Sequence, residues 1–293
     1  MPSVAPDVAF LGTGLMGAPM AGNLLAAGYD LRIWNRTAAK AAALQKDGAV
    51  AVEDPAFAVK GAPVVISMLS DGAASEEVLR AAWGGLEDCA VWIDMGSIRP
   101  EEARRQAARL AKHGIGYVDA PVSGGTKGAE DGALAIMAGG DEAHVDRVAP
   151  ILRAMGRPVR VGPVGAGQLA KLANQAIVAC SIAAVAEAML LLQRGGADPA
   201  AVRAALKGGF ADSTILQQHG RRMTDGDFEP GGLVRFQIKD LDNVLSEARA
   251  LALTLPAVEA VRDRFAHLQD AMDGGDLDHS ALYLELAARN EAG

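Results

Sequence analysis

The stretch VAFLGTGLMGAPMAGNLLAAG, residues 8–28, decides the fold. Its opening, VAFLG (8–12), reads as a buried strand, and MGAPMAGNLLAAG (16–28) has the periodicity of a helix. Between them GTGLMG places Gly12, Gly14 and Gly17 in G-x-G-x-x-G spacing. One such glycine permits the tight turn, one lets the backbone approach a pyrophosphate, and one lets the helix pack on the sheet. The helix start then offers free N–H groups and a positive dipole end to phosphates. Glycine-rich turns recur by chance, so the strand before this one and the helix after it carry the reading. Leu15 and Met16, inside the turn, are counted with the cofactor-binding residues.

The same rhythm continues. LRIW (31–34), VVISM (64–68) and VWIDM (91–95) read as strands, interleaved with helical stretches such as 15–27, 37–46 and 100–112. YVDAP (117–121) and ALAIMAGG (133–140), a helix over about 142–154 and the strand PVRVG (158–162) complete the pattern. This predicts an α/β, Rossmann-type, doubly wound parallel sheet over residues 1–162. Past Gly165 the segments 168–194, 198–207, 239–252, 256–272 and 280–290 are all helical, broken by glycines. Residues 163–293 are therefore expected to form an all-α domain. The long helix 168–194 would link the two as a hinge.

Composition narrows the function. With 293 residues, half of them hydrophobic, the chain can bury a sizeable core. A net charge of -8 is the wrong sign for binding nucleic acid or an anionic membrane, and no such partner is expected. Cys89 and Cys180 lie far apart without a metal-type pair, favouring reduced thiols in a cytoplasmic protein. The start, MPSVAPDVAFLG, lacks the basic region of a signal peptide. The apolar run 169–192 is interrupted by Glu187 and dominated by alanine, so a buried soluble helix is expected rather than a membrane span. The histidines show no ligand spacing, and no metal site is expected.

The end of the second strand bears on the cofactor. An NAD site usually places an acid there for the ribose 2′-hydroxyl, whereas this chain has WNRT, with Asn35, Arg36 and Thr37. Arg36 could pair with a 2′-phosphate, with Asn35 and Thr37 donating hydrogen bonds to it. Arg36 as a solvated residue at a helix start is the other reading. NADP(H) is favoured, with NAD(H) as the alternative. Met68, which ends VVISM, and Leu69 after it are counted with the same crevice.

Two further stretches carry chemistry. Ser123-Gly124-Gly125 ends DAPVSGG, where consecutive backbone N–H groups and a hydroxyl could bind a carboxylate; an ordinary strand-end turn is equally open. In GAGQLAKLANQ, Lys171 sits near the start of the long helix, and Asn174 and Gln175 follow at i+3 and i+4 on its face. Taken alone, Lys171 could equally be a lysine snorkelling along a domain seam.

These motifs resemble the β-hydroxyacid dehydrogenase family. The likeness runs through G-x-G-x-M-G-x-P-M-A-x-N-L at 12–24, D-x-P-V-S-G-G at 119–125, G-x-G-x-x-x-K at 165–171 and I-K-D-L at 238–241. KLANQAIVA, GGFADSTIL (208–216) and DHSAL (278–282) resemble the branch that reduces tartronate semialdehyde. The resemblance implies an NAD(P)H-dependent reductase of short carboxylate-bearing semialdehydes, working as a homodimer or homotetramer. The 3-hydroxyisobutyrate dehydrogenases and glyoxylate/succinate-semialdehyde reductases are the alternatives within the enzyme class, and a non-catalytic nucleotide-binding module the alternative outside it. It assigns Lys171 as catalytic acid/base and Ser123 and Gly124 to the substrate carboxylate. Asn174 and Gln175 would orient substrate, while Lys239 and the Gly96-Ser97 turn would face the cofactor. Gly96 stands where relatives often have Ser or Thr, and Gln175 where Asn is commoner. Imine reductases of the superfamily usually lack the lysine, so its presence implies carbonyl chemistry.

Overall fold

The computed structural model describes residues 7–88 and 90–291. Cys89 and the first six residues, on which part of the thiol and leader expectations rest, lie outside them; Cys180 is a free, half-buried thiol. The chain divides into two compact units, Met1–Lys171 and Leu172–Gly293.

The first unit runs β1 (Val8–Leu11), α1 (Gly17–Ala26), β2 (Leu31–Trp34), α2 (Ala38–Ala42), β3 (Val50–Val52), α3 (Pro55–Val59), β4 (Val64–Ser67) and α4 (Gly72–Ala82). It continues through β5 (Val91–Asp94), α5 (Pro100–Ala111), β6 (Gly116–Asp119), β7 (Val122–Ser123), α6 (Gly125–Glu130), β8 (Leu134–Gly140), α7 (Glu142–Arg153) and β9 (Gly156–Gly162). The strands form one sheet in the order β3-β2-β1-β4-β5-β6-β8-β7, with β9 on β8. From β3 to β6 every pairing is parallel, as a doubly wound fold requires. Alternation along the strands feeds two cores, one per sheet face. Val8, Phe10, Ile66 and Ile93 enter one; Ala9, Leu11, Val65 and Trp92 enter the other.

Two details depart from the sequence pattern. β8 runs antiparallel to β6, with Asp119 opposite Gly139, and also antiparallel to the short β7. A parallel return needs a crossover spanning the sheet, but this connection holds only β7 and the six-residue α6. β3 and β7 also escaped the sequence pattern, because three and two residues are too few to establish alternation.

α8 (Ala166–Arg194) opens in the first unit and crosses the division between Lys171 and Leu172. The second unit adds α9 (Pro199–Leu206), α10 (Thr214–Asp225), α11 (Val234–Ala250), α12 (Pro256–Met272) and α13 (Leu282–Glu291) around a core of its own. α10 was not foreseen: its buried stripe is Leu216, Gly220 and Met223, and the central glycine hides the apolar period. The expectation that α8 is a buried helix needs correction. It is long and apolar enough to cross a membrane by length and composition, and only 33% of its most apolar window is buried within the chain. Ile177 and Leu191 stand out at 67% and 73% exposed.

Candidate active site

β1 and β4 are the adjacent strands at which the sheet order reverses, the place where doubly wound folds bind ligands beyond the strand ends. The Gly12 N–H donates to the Trp34 carbonyl and the Met68 N–H to the Leu11 carbonyl, each at 2.8 Å, so three strand ends close the floor. Gly12 has φ +102°, and a Cβ there would collide with the Met68 carbonyl. A Cβ on Gly17 would collide with the Gly12 carbonyl, whereas Gly14 faces open space. These are the three demands of the dinucleotide turn: a left-handed corner, a close helix approach and a bare backbone surface.

Above the turn lies a crevice of about 290 Å³. It gathers Gly12, Gly14, Asn35, Arg36, Thr37, Met68 and Leu69. Lys40, Ser70 and Glu77 join them and were not foreseen; the signal for Lys40 was its place four residues past Arg36, one turn into α2. Asn35 accepts the Thr13 N–H at 3.0 Å and donates to the Thr37 carbonyl at 3.0 Å. It thus braces the two turns against each other, leaving Arg36 and Lys40 as the cations of the crevice. Leu15 projects into solvent, Met16 packs partly buried against the core, and Gly17 is buried inside the turn.

Gly96 lies on the turn after β5. A Cβ there would come within 2.7 Å of the Leu69 carbonyl and 3.2 Å of Asp94 Oδ1. A glycine at 96 therefore lets the turn after β5 approach the Leu69 backbone closely. Its N–H donates to Asp94 Oδ1 at 3.0 Å, and Ser75 Oγ donates to Asp94 Oδ2 at 2.5 Å. Burial pushes Asp94 up to about 7 against those hydrogen bonds, with the Asp119 and Glu102 charges adding to the rise.

Ser123 ends β7 opposite Ala135, and Gly124 and Gly125 follow with φ +141° and +63°. Both are positive-φ conformations that residues with a Cβ rarely adopt. Lys171 is half-buried in the second turn of α8.

In the second unit, Asn174 Nδ2 donates to Gln175 Oε1 at 2.9 Å, and Gln175 Nε2 donates to Asp240 Oδ2 at 2.6 Å. Lys239 Nζ pairs with Asp240 Oδ1 at 3.5 Å. Asp240 lies inside α11, which begins at Val234, and is the acceptor that fixes the Gln175 amide. Sequence spacing gave no hint of this, because the two residues come from different helices.

Sequence spacing also missed the meeting of His219 and His279, whose Nε2 atoms lie 2.8 Å apart. With Asp278 they form a group whose ligand atoms fall within 4.8 Å of one another. Asp278 already accepts the Gly232 N–H, the Ser280 N–H and the Ser280 hydroxyl, and Arg222 stands 3.7 Å away. These hydrogen bonds brace Asp278 between Gly232 and Ser280. Burial lowers His279 to about 4 and also lowers His219.

Comparison with known proteins agrees with this geometry. The profile of the NAD-binding domain of 6-phosphogluconate dehydrogenase matches residues 7–193, and that of the NAD-binding domain of NADP-dependent 3-hydroxyisobutyrate dehydrogenase matches residues 165–286. The 2-hydroxy-3-oxopropionate reductase of Escherichia coli (strain K12) is 43% identical over 289 residues, covering 96% of this chain and 98% of that one. The Mycobacterium tuberculosis 3-hydroxyisobutyrate dehydrogenase, solved with L-serine, superimposes with a TM-score of 0.88 at 31% identity, covering 97% and 99% of the two chains. The Salmonella typhimurium 3-hydroxyisobutyrate dehydrogenase gives a TM-score of 0.83 at 28% identity, covering 94% and 98%. With the switch-point crevice, the glycine turn and full-length matches in agreement, the chain belongs to the β-hydroxyacid dehydrogenase family of nicotinamide-dependent oxidoreductases.

Proposed function

We propose that this enzyme reduces 2-hydroxy-3-oxopropionate to glycerate with NADPH. The observation that carries the reading is the 43% identity to the E. coli reductase along essentially the whole of both chains. Arg36 and Lys40 in the crevice, with no carboxylate at the end of β2, support a 2′-phosphate and hence NADPH over NADH. Gly12, Gly14, Met68, Leu69 and Gly96 would hold the rest of the cofactor, with Lys239 beside the nicotinamide. When bound, the reduced nicotinamide supplies a hydride to the aldehyde carbon.

The other roles belong to the protein. Ser123, Gly124 and Gly125 bind the substrate carboxylate through a hydroxyl and backbone N–H groups. The Lys171 ammonium lies against the aldehyde oxygen, stabilises the developing alkoxide and gives it a proton. Hydride and proton together convert the aldehyde to the primary alcohol, with nothing left over. Asn174 and Gln175 orient the substrate, and the Asp240 carboxylate fixes which way the Gln175 amide points. In this reading the protein is cytoplasmic and assembles through its helical unit, where α8 exposes Ile177 and Leu191.

The test is NADPH consumption with tartronate semialdehyde, succinic semialdehyde, methylmalonate semialdehyde and glyoxylate in parallel. The expected kcat/KM is highest for tartronate semialdehyde. A different leader reassigns the substrate, and tight NADPH binding without consumption of any of the four refutes the enzymatic reading.

A further inference from the structure

The start of α8 is held by side chains for which the proposed reaction has no direct use. Asp119, fully buried at the end of β6, accepts the Gly165 N–H through Oδ1 and the Gln168 N–H through Oδ2, each at 2.8 Å. These are among the first N–H groups of the helix, which lack partners within it. A cap is usually made by a neighbour in sequence, but here it comes from a strand some 46 residues earlier. Gly167 and Gly139 make room for it: a Cβ on Gly139 would lie 2.6 Å from both Asp119 Oδ1 and the Gly167 nitrogen.

Gln168 supplies a second tie. Fully buried, it accepts the Ile98 N–H at 3.1 Å and donates to the Gly96 carbonyl at 2.8 Å. The opening turn of α8 is therefore fastened to the ends of both β5 and β6. Lys171 follows Gln168 by three residues, so a helix clamped at 165 and 168 has a fixed height and rotation at 171. The same strand end leads within a few residues to the Ser123–Gly125 turn.

We propose that Asp119, assisted by Gln168, is the positioning residue that aims Lys171. The inference rests on the proposed role of Lys171 and adds a cause for its placement. It also explains why G-x-G-x-x-x-K and D-x-P-V-S-G-G occur in one chain: the acid of the second motif caps the helix of the first. A misplacement of about 1 Å at a reacting group is enough to lower turnover by about 100-fold.

Asp119→Asn keeps the shape but weakens the cap, because its amide group can accept only through one atom. The expected result is a kcat about 10- to 100-fold lower, with KM for substrate and Kd for NADPH within about threefold of wild type. A second readout separates aiming from loss of folded enzyme. NADPH-binding stoichiometry counts folded sites, so kcat per bound NADPH falls if the lysine is misaimed and is unchanged if only the folded fraction is smaller. The other ionisable groups around Asp119 are Asp94 on β5, Tyr117 on its own strand, Glu102 on α5 and Arg104, which reaches Gly165. All are retained in the variant. Wild-type kcat per NADPH-binding site in Asp119→Asn, or a loss confined to NADPH stoichiometry, overturns the proposal. If Asp119→Asn fails to fold, Gln168→Ala carries the test: kcat should fall about threefold or more at constant NADPH affinity, and an unchanged kcat refutes it. The two layers stay distinguishable, because near-wild-type turnover in Lys171→Ala refutes the reading of the site, whereas a dead Lys171→Ala with an unaffected Asp119→Asn refutes only the aiming role.

Discussion

The two units bury ionisable groups for opposite reasons. In the first, Asp94 and Asp119 sit at adjacent strand ends among backbone N–H donors, and burial raises them to about 7 and about 6. In the second, His219 and His279 lean on each other, His279 also meets Gln237, and burial lowers both histidines, His279 to about 4. The acids organise loops where the cofactor crevice and the lysine-bearing helix begin. The histidines tie α10 to the segment before α13 and to α11. The first unit is built as a cradle for charge, and the second as a helical frame carrying an amide chain, Asn174–Gln175–Asp240. Reaction type should therefore be sensitive to changes in the first unit, and substrate choice to changes in the second.

The largest expected effect tests the first half of that contrast. Lys171→Ala should lose about 10²- to 10⁴-fold in kcat while NADPH affinity holds, measured by steady-state kinetics and fluorescence titration. Arg36→Ala should raise KM for NADPH by about 10- to 100-fold and leave KM for NADH nearly unchanged, since a charge-assisted bond to a phosphate is worth about 1.5–3 kcal/mol. Equal weakening of both cofactors would place Arg36 outside the 2′-phosphate site. Gln175→Asn probes the second unit. It shortens the amide and releases Asp240, so the ranking among semialdehydes should change by about tenfold or less, in the range of a single contact. A uniform loss on every substrate would move Gln175 from selection to catalysis.

The smallest effect is on stability, and its sign differs between the units. Asp94 and Asp119 have folded pKa values above the ordinary carboxylate value, so their contribution is complete at low pH and is lost as pH rises through about 6 to 7. The histidines have folded values below the ordinary imidazole value, so their contribution is present above about 6.5 and is lost as pH falls toward about 4. Burial also pushes Asp278 upward, but hydrogen bonds from Ser280 and Gly232 outweigh it and leave it low, which adds to the loss in acid. Amide exchange, corrected for its intrinsic pH dependence, should show β5 and β6 gaining protection from pH 8 to 5 while α10 loses it, the pH limits lying about one unit beyond those values. Parallel trends in the two units would remove the contrast.

Much of the first unit was legible because its strands are short apolar runs and its turn demands glycine at Gly12, Gly14 and Gly17. Of the residues lining the crevice, Gly12, Asn35, Arg36, Thr37, Met68 and Leu69 lie within a few positions of strand ends, whereas Glu77 and Ala81 come from α4 and have no such signal. What escaped was contact between distant segments. Nothing in KLANQ announces Asp240, and nothing in DHSAL announces His219, because helix packing brings them together without a local signature. The antiparallel β8 escaped because periodicity reports burial and not direction. Asp119 stood in a recognised motif, yet its hydrogen bonds to Gly165 and Gln168 emerge only once β6 and α8 are in place.

The central claim is hydride delivery to the aldehyde carbon of a 3-oxo acid, and isotope placement tests it directly. Tartronate semialdehyde interconverts with hydroxypyruvate, and both are reduced to glycerate, but at different carbons. Reduction with NADPH deuterated at the transferring position, followed by NMR of the product, distinguishes them. Hydride transfer to the aldehyde gives glycerate carrying one deuterium at C3; deuterium at C2, or no glycerate, refutes that route.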